Sequence, residues 1–292
     1  MKQWHIYACF SVIGIFLSGC WVQEAPQEKK KSLFIVADYL TKDDSTVINQ
    51  FSFDHHVAVT IKIMTPEAIV QRIKSERYNA EIDIILTQNH ELRNELYSLG
   101  SLKPISNPAL FSQLDRQFNN KHHFWLPVSH DPLILANPKD SSGVCRVTDF
   151  SIWHKSDSAF PALKIKKNSG DYSMLLKNSH HLSWINNTKA NRKMAVNESV
   201  YSLSEFVALE NSRDSTYNKR ANGCRSYLVD NKRYITLVNT VSIYTYGRNQ
   251  ATAQKFIRVF AANAYTIASG RNQLPASKAV QPSWYIRSLA IQ

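Results

Sequence analysis

The chain has 292 residues, 43% of them hydrophobic, and a formal charge of +12 from 35 Lys and Arg against 23 Asp and Glu. That length suffices for one large domain or two lobes, and the basic surplus could attract nucleic acid, anionic lipid or an anionic ligand. Lys and Arg are scattered, with Lys29-Lys30-Lys31 as the compact run, and no nucleic-acid-binding motif accompanies them, so no nucleic-acid partner is expected.

The first element is an apolar segment over residues 6–17, behind a basic start at Lys2. A bilayer span needs about 20 apolar residues, so this segment is too short to cross. No later segment approaches that length, and the body that follows is expected to be soluble. Leu17-Ser18-Gly19-Cys20 closes the segment. A basic start, an apolar run and a small-residue site before a cysteine together resemble a bacterial lipoprotein signal. The resemblance implies a signal peptide over 1–19, cleavage before Cys20, and lipid on the Cys20 thiol and its new amino group. The mature protein would then sit in the cell envelope, anchored at the periplasmic or outer face of a membrane. Residues 20–32 are polar with a single proline and read as a flexible tether.

The folded body starts at Leu33 with LFIVA, a continuous apolar run suited to a strand buried on both faces. Residues 41–51 read as a helix with Val47, Ile48 and Phe51 on one face. Residues 55–64 alternate Val57, Val59, Ile61 and Ile63 against Ala58, Thr60 and Lys62, a strand pattern. Pro66 fits the first turn of a helix with an Ile69, Val70, Ile73 stripe. Residues 82–86 form another buried strand, and 91–99 a helix stopped by Gly100. Strand and helix alternate throughout, which predicts an α/β layer with a mainly parallel sheet.

The middle of the chain differs. Residues 124–136 are extended and broken by prolines, which suits a crossing between two lobes. A short helix is expected over 150–153, a strand over 162–165, and a loop at Asn168-Ser169-Gly170-Asp171 feeding a helix over 172–176. Residues 186–234 are rich in Asn, Ser, Lys and Arg and show no clear pattern. Residues 234–244 alternate as a strand, 252–268 form a long amphipathic helix, and Leu274-Pro275-Ala276 opens a tail with little pattern.

Several stretches resemble the extracellular solute-binding proteins of ABC transporters. AEIDIILTQNHELRNELYSLGSLKPI (80–105) is similar to their strand, ligand loop and helix. NPALFSQLDRQFNNKHHFWLPVSHDPLILANPK (107–139) continues the match through a Trp-containing strand to an Asn-Pro. VTDFSIWHK, FPALKIKKNSGDYS, NQATAQKFIRVFAANAY and NQLPAS resemble later segments. By pattern the likeness is to the type II proteins of the ferric-iron, sugar-phosphate and phosphoglycerate group, across most of residues 33–280. It implies a two-lobed α/β fold of the type II periplasmic-binding-protein kind, with a hinge of two crossing strands and ligand in the cleft. The expected division is 33–127 with 236–270 in one lobe, and 128–235 with 271–292 in the other. There are departures from the ferric binders. FVALENSRDSTYNKR offers Ser212-Arg213-Asp214 where they carry adjacent tyrosines, Asp38-Tyr39-Leu40 lacks a histidine, and Gln88 stands where a carboxylate is expected.

Ligands of open α/β sheets bind beyond the carboxyl ends of the strands. This selects Tyr39, Thr41, Thr87, Gln88 and Asn89; position in the family adds Ser129, His130, Ser169 and Gly170. A Ser-Gly loop opening a helix is either an anion site or an ordinary cap. Arg213 either closes over an anion or is solvated, and Tyr201 and Tyr217 either stack on ligand or pack. The adjacent pairs His55-His56, His122-His123 and His180-His181 suit a metal poorly, because neighbours on a strand point to opposite faces. No metal, cofactor or catalytic role is expected, since GxSxG, HExxH and Walker patterns are absent from the sequence. With Cys9 removed and Cys20 lipidated, Cys145 and Cys224 remain; an oxidising compartment suggests a disulfide, against two buried thiols. The expectation is a monomeric lipoprotein that captures a small polar or anionic ligand, phosphorylated ligands included, for an ABC permease. Ferric iron is the alternative ligand, and presentation to a membrane sensor the alternative role.

Overall fold

The computed structural model describes residues 31–137, 164–165, 199–211, 224–227, 229–230, 233–234 and 236–282. The expected helices at 150–153 and 172–176 and the Ser169-Gly170 loop lie outside them. The described residues belong to one compact unit.

Strand β1 (Ser32–Ala37) pairs in parallel with β2 (Ala58–Ile63) on one edge and with β3 (Ile84–Thr87) on the other. Helix α1 (Lys42–His55) joins β1 to β2, and α2 (Pro66–Glu76) lies between β2 and β3. Because side chains alternate across a strand, Leu33, Ile35 and Ala37 face one core, with Val47, Ile48 and Phe51 of α1. Val36 faces the other, with Ile69, Val70 and Ile73 of α2 and Leu92 and Leu96 of α3 (His90–Ser98). Strands covered on both faces are why LFIVA (33–37) and IIL (84–86) are unbroken apolar runs. The edge strand β2 departs from its sequence pattern. Val59 and Ile61 are half-buried, but Ile63, expected inward, is 63% exposed. The Gly100 stop for α3 is as expected: at φ 63° it takes the left-handed turn, and Gly100 N donates to the Tyr97 carbonyl.

After the short β4 (Leu102–Lys103) and α4 (Pro108–Ser112), residues 125–137 form one strand, β5 (Trp125–Asn137), rather than pieces broken by proline. A proline cannot donate to a ladder. Accordingly Pro127 pairs with Thr240 beside a register shift at Asn239/Thr240, on the antiparallel strand β11 (Thr236–Tyr244). β11 also pairs antiparallel with β3, so it stands between β3 and β5. Beyond Pro132, β5 leaves β11 and enters a second set of strands. There it lies between β7 (Ser199–Ser202) and β8 (Cys224–Tyr227), with β6 (Lys164–Ile165) parallel to β7. The buried Asp131 carboxylate, at the changeover, accepts from Ser204 N at 3.0 Å and Ser204 Oγ at 2.6 Å, fastening the first turn of α5 (Leu203–Asn211). Strands β9 (Val229–Asp230) and β10 (Arg233–Tyr234) form a separate antiparallel pair. The pattern-poor region 186–234 therefore contains several short elements.

The long helix expected over 252–268 is two helices, α6 (Gln250–Ala262) and α7 (Ala264–Gly270). Asn263 at φ −95°, ψ 17° breaks the helical path, and its Nδ2 donates back to the Val259 carbonyl at 2.8 Å. This local bond competes with helix propagation. The stretch read as an unpatterned tail opens with β12 (Leu274–Pro275), antiparallel to β5. Ala276 joins the first core and Lys278 N donates to the Gln113 carbonyl, so the described part of 271–282 packs on the lobe containing β1.

Phe51 is fully buried, with its ring edge-on to Phe256 at 5.2 Å between centroids. Truncation to alanine should destabilise the protein by about 3–5 kcal/mol, read from the shift of a denaturant-unfolding midpoint.

Candidate functional site

Strand order reverses at β1: the chain goes to β2 on one side, and β3 lies on the other. Loops leaving such strands diverge and open a crevice at their carboxyl ends. The loop after β1 carries Asp38 and Tyr39, and the loop after β3 carries Gln88 and Asn89. Asp38 ties the two together. Its carboxylate accepts from the Thr87 hydroxyl, from Gln88 N at 3.3 Å and from Asn89 N at 3.3 Å.

Two of the selected residues act as helix caps. Thr41 Oγ1 accepts from Asp44 N at 3.2 Å while Asp44 Oδ2 accepts from Thr41 N at 2.7 Å, a capping box at the start of α1. Asn89 Oδ1 accepts from Leu92 N at 2.9 Å at the start of α3. Tyr39 is the open one, 44% exposed, and the Arg271 guanidinium lies 5.1 Å from the centre of its ring.

Arg271 is the centre of a buried polar cluster. It donates through Nη2 to Asp44 Oδ2 at 2.7 Å and through Nε to Asp44 Oδ1 at 3.3 Å, and through Nη1 to the Asn239 side-chain oxygen. Asn239 donates to Ser129 Oγ at 3.0 Å and to Gln273 Oε1, and Ser129 Oγ donates to the same Gln273 oxygen at 2.8 Å. Ser129 is therefore committed to joining β5 and β11, and is fully buried. Its neighbour His130 is buried too, 4.6 Å from the Phe118 ring centre and 3.2 Å from Thr236 Oγ1. Burial pushes its imidazole down to about 3, with the Asp115 charge opposing, so the ring is neutral.

A small crevice is lined by Tyr39, Thr87, Gln88, Asn239, Thr240 and Arg271 over Leu86, Val128, Phe260 and Ile267. It encloses ≈ 250 Å³ of empty space, part of it open to solvent, and leaves room for about one water. These residues supply one wall of a site and do not enclose a solute by themselves.

A second buried cation stands near the crevice. β3 ends at Thr87 opposite Thr240, and Val238 lies two residues further along β11. Arg93 of α3 reaches this stretch: its Nη1 lies 3.5 Å from the Val238 carbonyl, and its guanidinium lies 5.2 Å from the Trp125 ring centre. Burial lowers its pKa to about 10, against the opposing pull of Asp38. His90, one turn earlier, is also lowered, by burial first and by the Arg93 charge second.

The structure thus brings Tyr39, Thr87, Gln88 and the cap residues Thr41 and Asn89 to one end of the sheet, with Ser129 and His130 in the strand beneath. Tyr201 and Cys224 fall in β7 and β8, opposite Ile134 and Asn137 of β5. Cys20, Cys145, Ser169, Gly170, Arg213 and Tyr217 lie outside the described residues. Sequence reasoning missed Asp38, Arg93, Asn239 and Arg271. Asp38 had a usable signal, a carboxylate directly after a buried strand; the others come from distant helices and strands. Among the described residues no group of three His, Cys, Asp or Glu side chains is placed to hold a metal ion, and no helix is long and apolar enough to cross a membrane.

Solved structures share this architecture. Mannheimia haemolytica ferric iron-binding protein A, in an open conformation, matches with a TM-score of 0.69 at 14% identity over 89% of this chain and 90% of its own. The Bordetella ferric binding protein matches at 0.70 and 13%, over 89% and 90%. A Trichodesmium protein in complex with iron and citrate matches at 0.69 and 13%, over 88% and 90%. The chain has the two-lobed periplasmic-binding-protein fold. The crevice at Tyr39 and Gln88 opens beside β5 and β11, and β5 runs on from β11 to β7 and β8. Neither a protein-family model nor a curated protein matches the chain.

The Arg271–Asp44 pair is almost wholly buried. Asp44→Asn would leave the guanidinium without its counter-charge and should cost about 3–5 kcal/mol, read by chemical denaturation. For His130 the folded value of about 3 lies below the ordinary 6.5. Between these values the unfolded chain binds more protons than the folded one. Its contribution is therefore complete above pH 6.5 and is lost as pH falls toward 3, by at most about 1.4 kcal/mol per pH unit. His130→Asn should flatten that part of the stability–pH curve.

Proposed function

We propose that this protein is a lipid-anchored solute-binding protein of the bacterial cell envelope, taking a small polar or anionic ligand between two lobes for an ABC permease. The observation that carries the reading is the open crevice at the strand-order reversal, beside β5 and β11, which are the strands proposed to lead from one lobe to the other. Tyr39, Thr87, Gln88 and Arg271 form one wall of it. Lobe closure needs a ligand with more affinity for the closed state than for the open one. The opposing wall would come from the second lobe, with Ser169, Gly170, Tyr201, Arg213 and Tyr217 as candidates.

An anionic or phosphorylated ligand is favoured by the overall charge of +12 and by the buried Arg93 guanidinium on the first turns of α3, the helix that follows Gln88 and Asn89. Ferric iron is the second reading, favoured by the ferric binding proteins among the similar solved structures. The exposed Tyr39 phenol would be a suitable hard oxygen for it. Presentation of ligand state to a membrane sensor is a further role for the same fold. The proposal includes cleavage before Cys20 with lipid on that residue, and a Cys145–Cys224 bridge. Because 271–282 packs on the lobe containing β1, the proposed first lobe is 33–127 with 236–282.

The test is native mass spectrometry on protein beginning after Cys20 and purified without added ligand. Thermal-shift titration with phosphate esters, ferric citrate, zinc, sugars and amino acids follows, with small-angle scattering on any hit. A ligand at 100 times its dissociation constant should stabilise the fold by about 2.7 kcal/mol, and the radius of gyration should fall. Retained iron would replace the anionic ligand with the ferric one. No bound species, no shift and no compaction would overturn solute capture and favour the sensor role.

A further inference from the structure

Arg93 and Arg271 are both at least nine-tenths buried, and they differ in one respect. Arg271 has a carboxylate, Asp44, bonded through two of its nitrogens. Among the described residues Arg93 has no carboxylate at ion-pair distance. Its contacts are a 3.5 Å approach to the Val238 carbonyl, at the outer limit of a hydrogen bond, and the face of Trp125. Its Nε is buried with no hydrogen-bond partner. A buried polar group is normally satisfied, and a buried charge is normally paired. An arginine cannot escape by losing its proton near neutral pH. The group is held in a costly state, next in the chain to the Gln88-Asn89 loop and beside the β11 residues Asn239 and Thr240 that line the crevice. It stands on the first turns of α3, against the stretch of β11 beyond the end of β3, with 7% of its surface still open. His90, three residues earlier and so on the same helix face, offers a second donor.

We propose that Arg93 is the counter-charge for an oxyanion, a carboxylate or phosphate group of the captured solute, bound at the cleft end of α3. The site rests on the solute-capture reading and adds to it the group that the ligand must carry. The planar guanidinium suits such an anion, because two of its N–H groups can meet two oxygens at once.

The experiment is thermal unfolding of the detergent-solubilised full chain in inorganic phosphate, citrate and chloride at matched ionic strength, for wild type, Arg93→Met and Arg93→Lys. Phosphate or citrate should raise the wild-type Tm above its value in chloride, and the responding anion identifies the oxyanion. Arg93→Met, which removes an unpaired buried charge, should melt higher than wild type in chloride and need at least tenfold more of that anion for half its effect. Arg93→Lys should keep part of the response, and it carries the test if the methionine variant does not fold. A wild type indifferent to both oxyanions would overturn the site. So would an Arg93→Met protein that melts lower in chloride yet responds at the wild-type midpoint, since Arg93 would then be a strut between α3 and β11. Small-angle scattering separates this site from the broader reading. An Arg93-dependent response without compaction would keep the anion site and overturn lobe closure, and compaction by a ligand that ignores Arg93→Met would do the reverse.

Discussion

Arg271 reaches back 227 residues to Asp44, and much of the molecule is organised around that buried pair. Asp44 already caps α1 through Thr41, so the ion pair fixes the end of the helix that follows β1. The same guanidinium bonds Asn239 of β11, which bonds Ser129 of β5. One charge therefore joins the first helix, strands β5 and β11 and the segment after α7. It also stacks on Tyr39 in the crevice wall. In a low-dielectric interior such a cluster holds well only when every member is satisfied. The short chain of partners from Arg271 to Gln273 meets that condition.

The contrast with Arg93 follows from the same physics. Two arginines are buried at one end of one sheet, and one of them is neutralised within the fold. Among the described residues the other has only the more distant Asp38 charge to oppose its burial, and a buried charge without a close partner lowers stability. The crevice near it is too small to enclose a solute alone. On the proposed solute-capture reading, this wall is one half of the site and closure would complete the enclosure.

The sheet topology explains why the site lies there. β1 has parallel neighbours on both edges, so the loops after β1 and β3 separate, and Asp38 then holds them at a defined spacing. β11 arrives antiparallel from the far part of the chain and seals β3 to β5. Pro127 forces a register shift in that pairing, which β5 survives as a single strand because the shift places no demand on the missing N–H.

Much of the first lobe was legible in the sequence, because its signals are local. The unbroken apolar run 33–37, the stripe of Ile69, Val70 and Ile73, and the stop at Gly100 each depend on neighbours a few residues away. The crevice position was legible too, since strand ends in an α/β order select Tyr39, Thr87 and Gln88. Three features were decided only by tertiary structure. The helix break at Asn263 turned on one side-chain bond, hidden behind an unbroken apolar period. The edge position of β2, which exposes Ile63, depended on which strands lie beside it. The roles of Asn239, Arg271 and Arg93 required contacts between residues 32 to 227 positions apart. Local pattern determines which segments become strands and helices, because periodicity and capping act within a turn or two. Which charges are paired within the fold depends on the packing of distant segments.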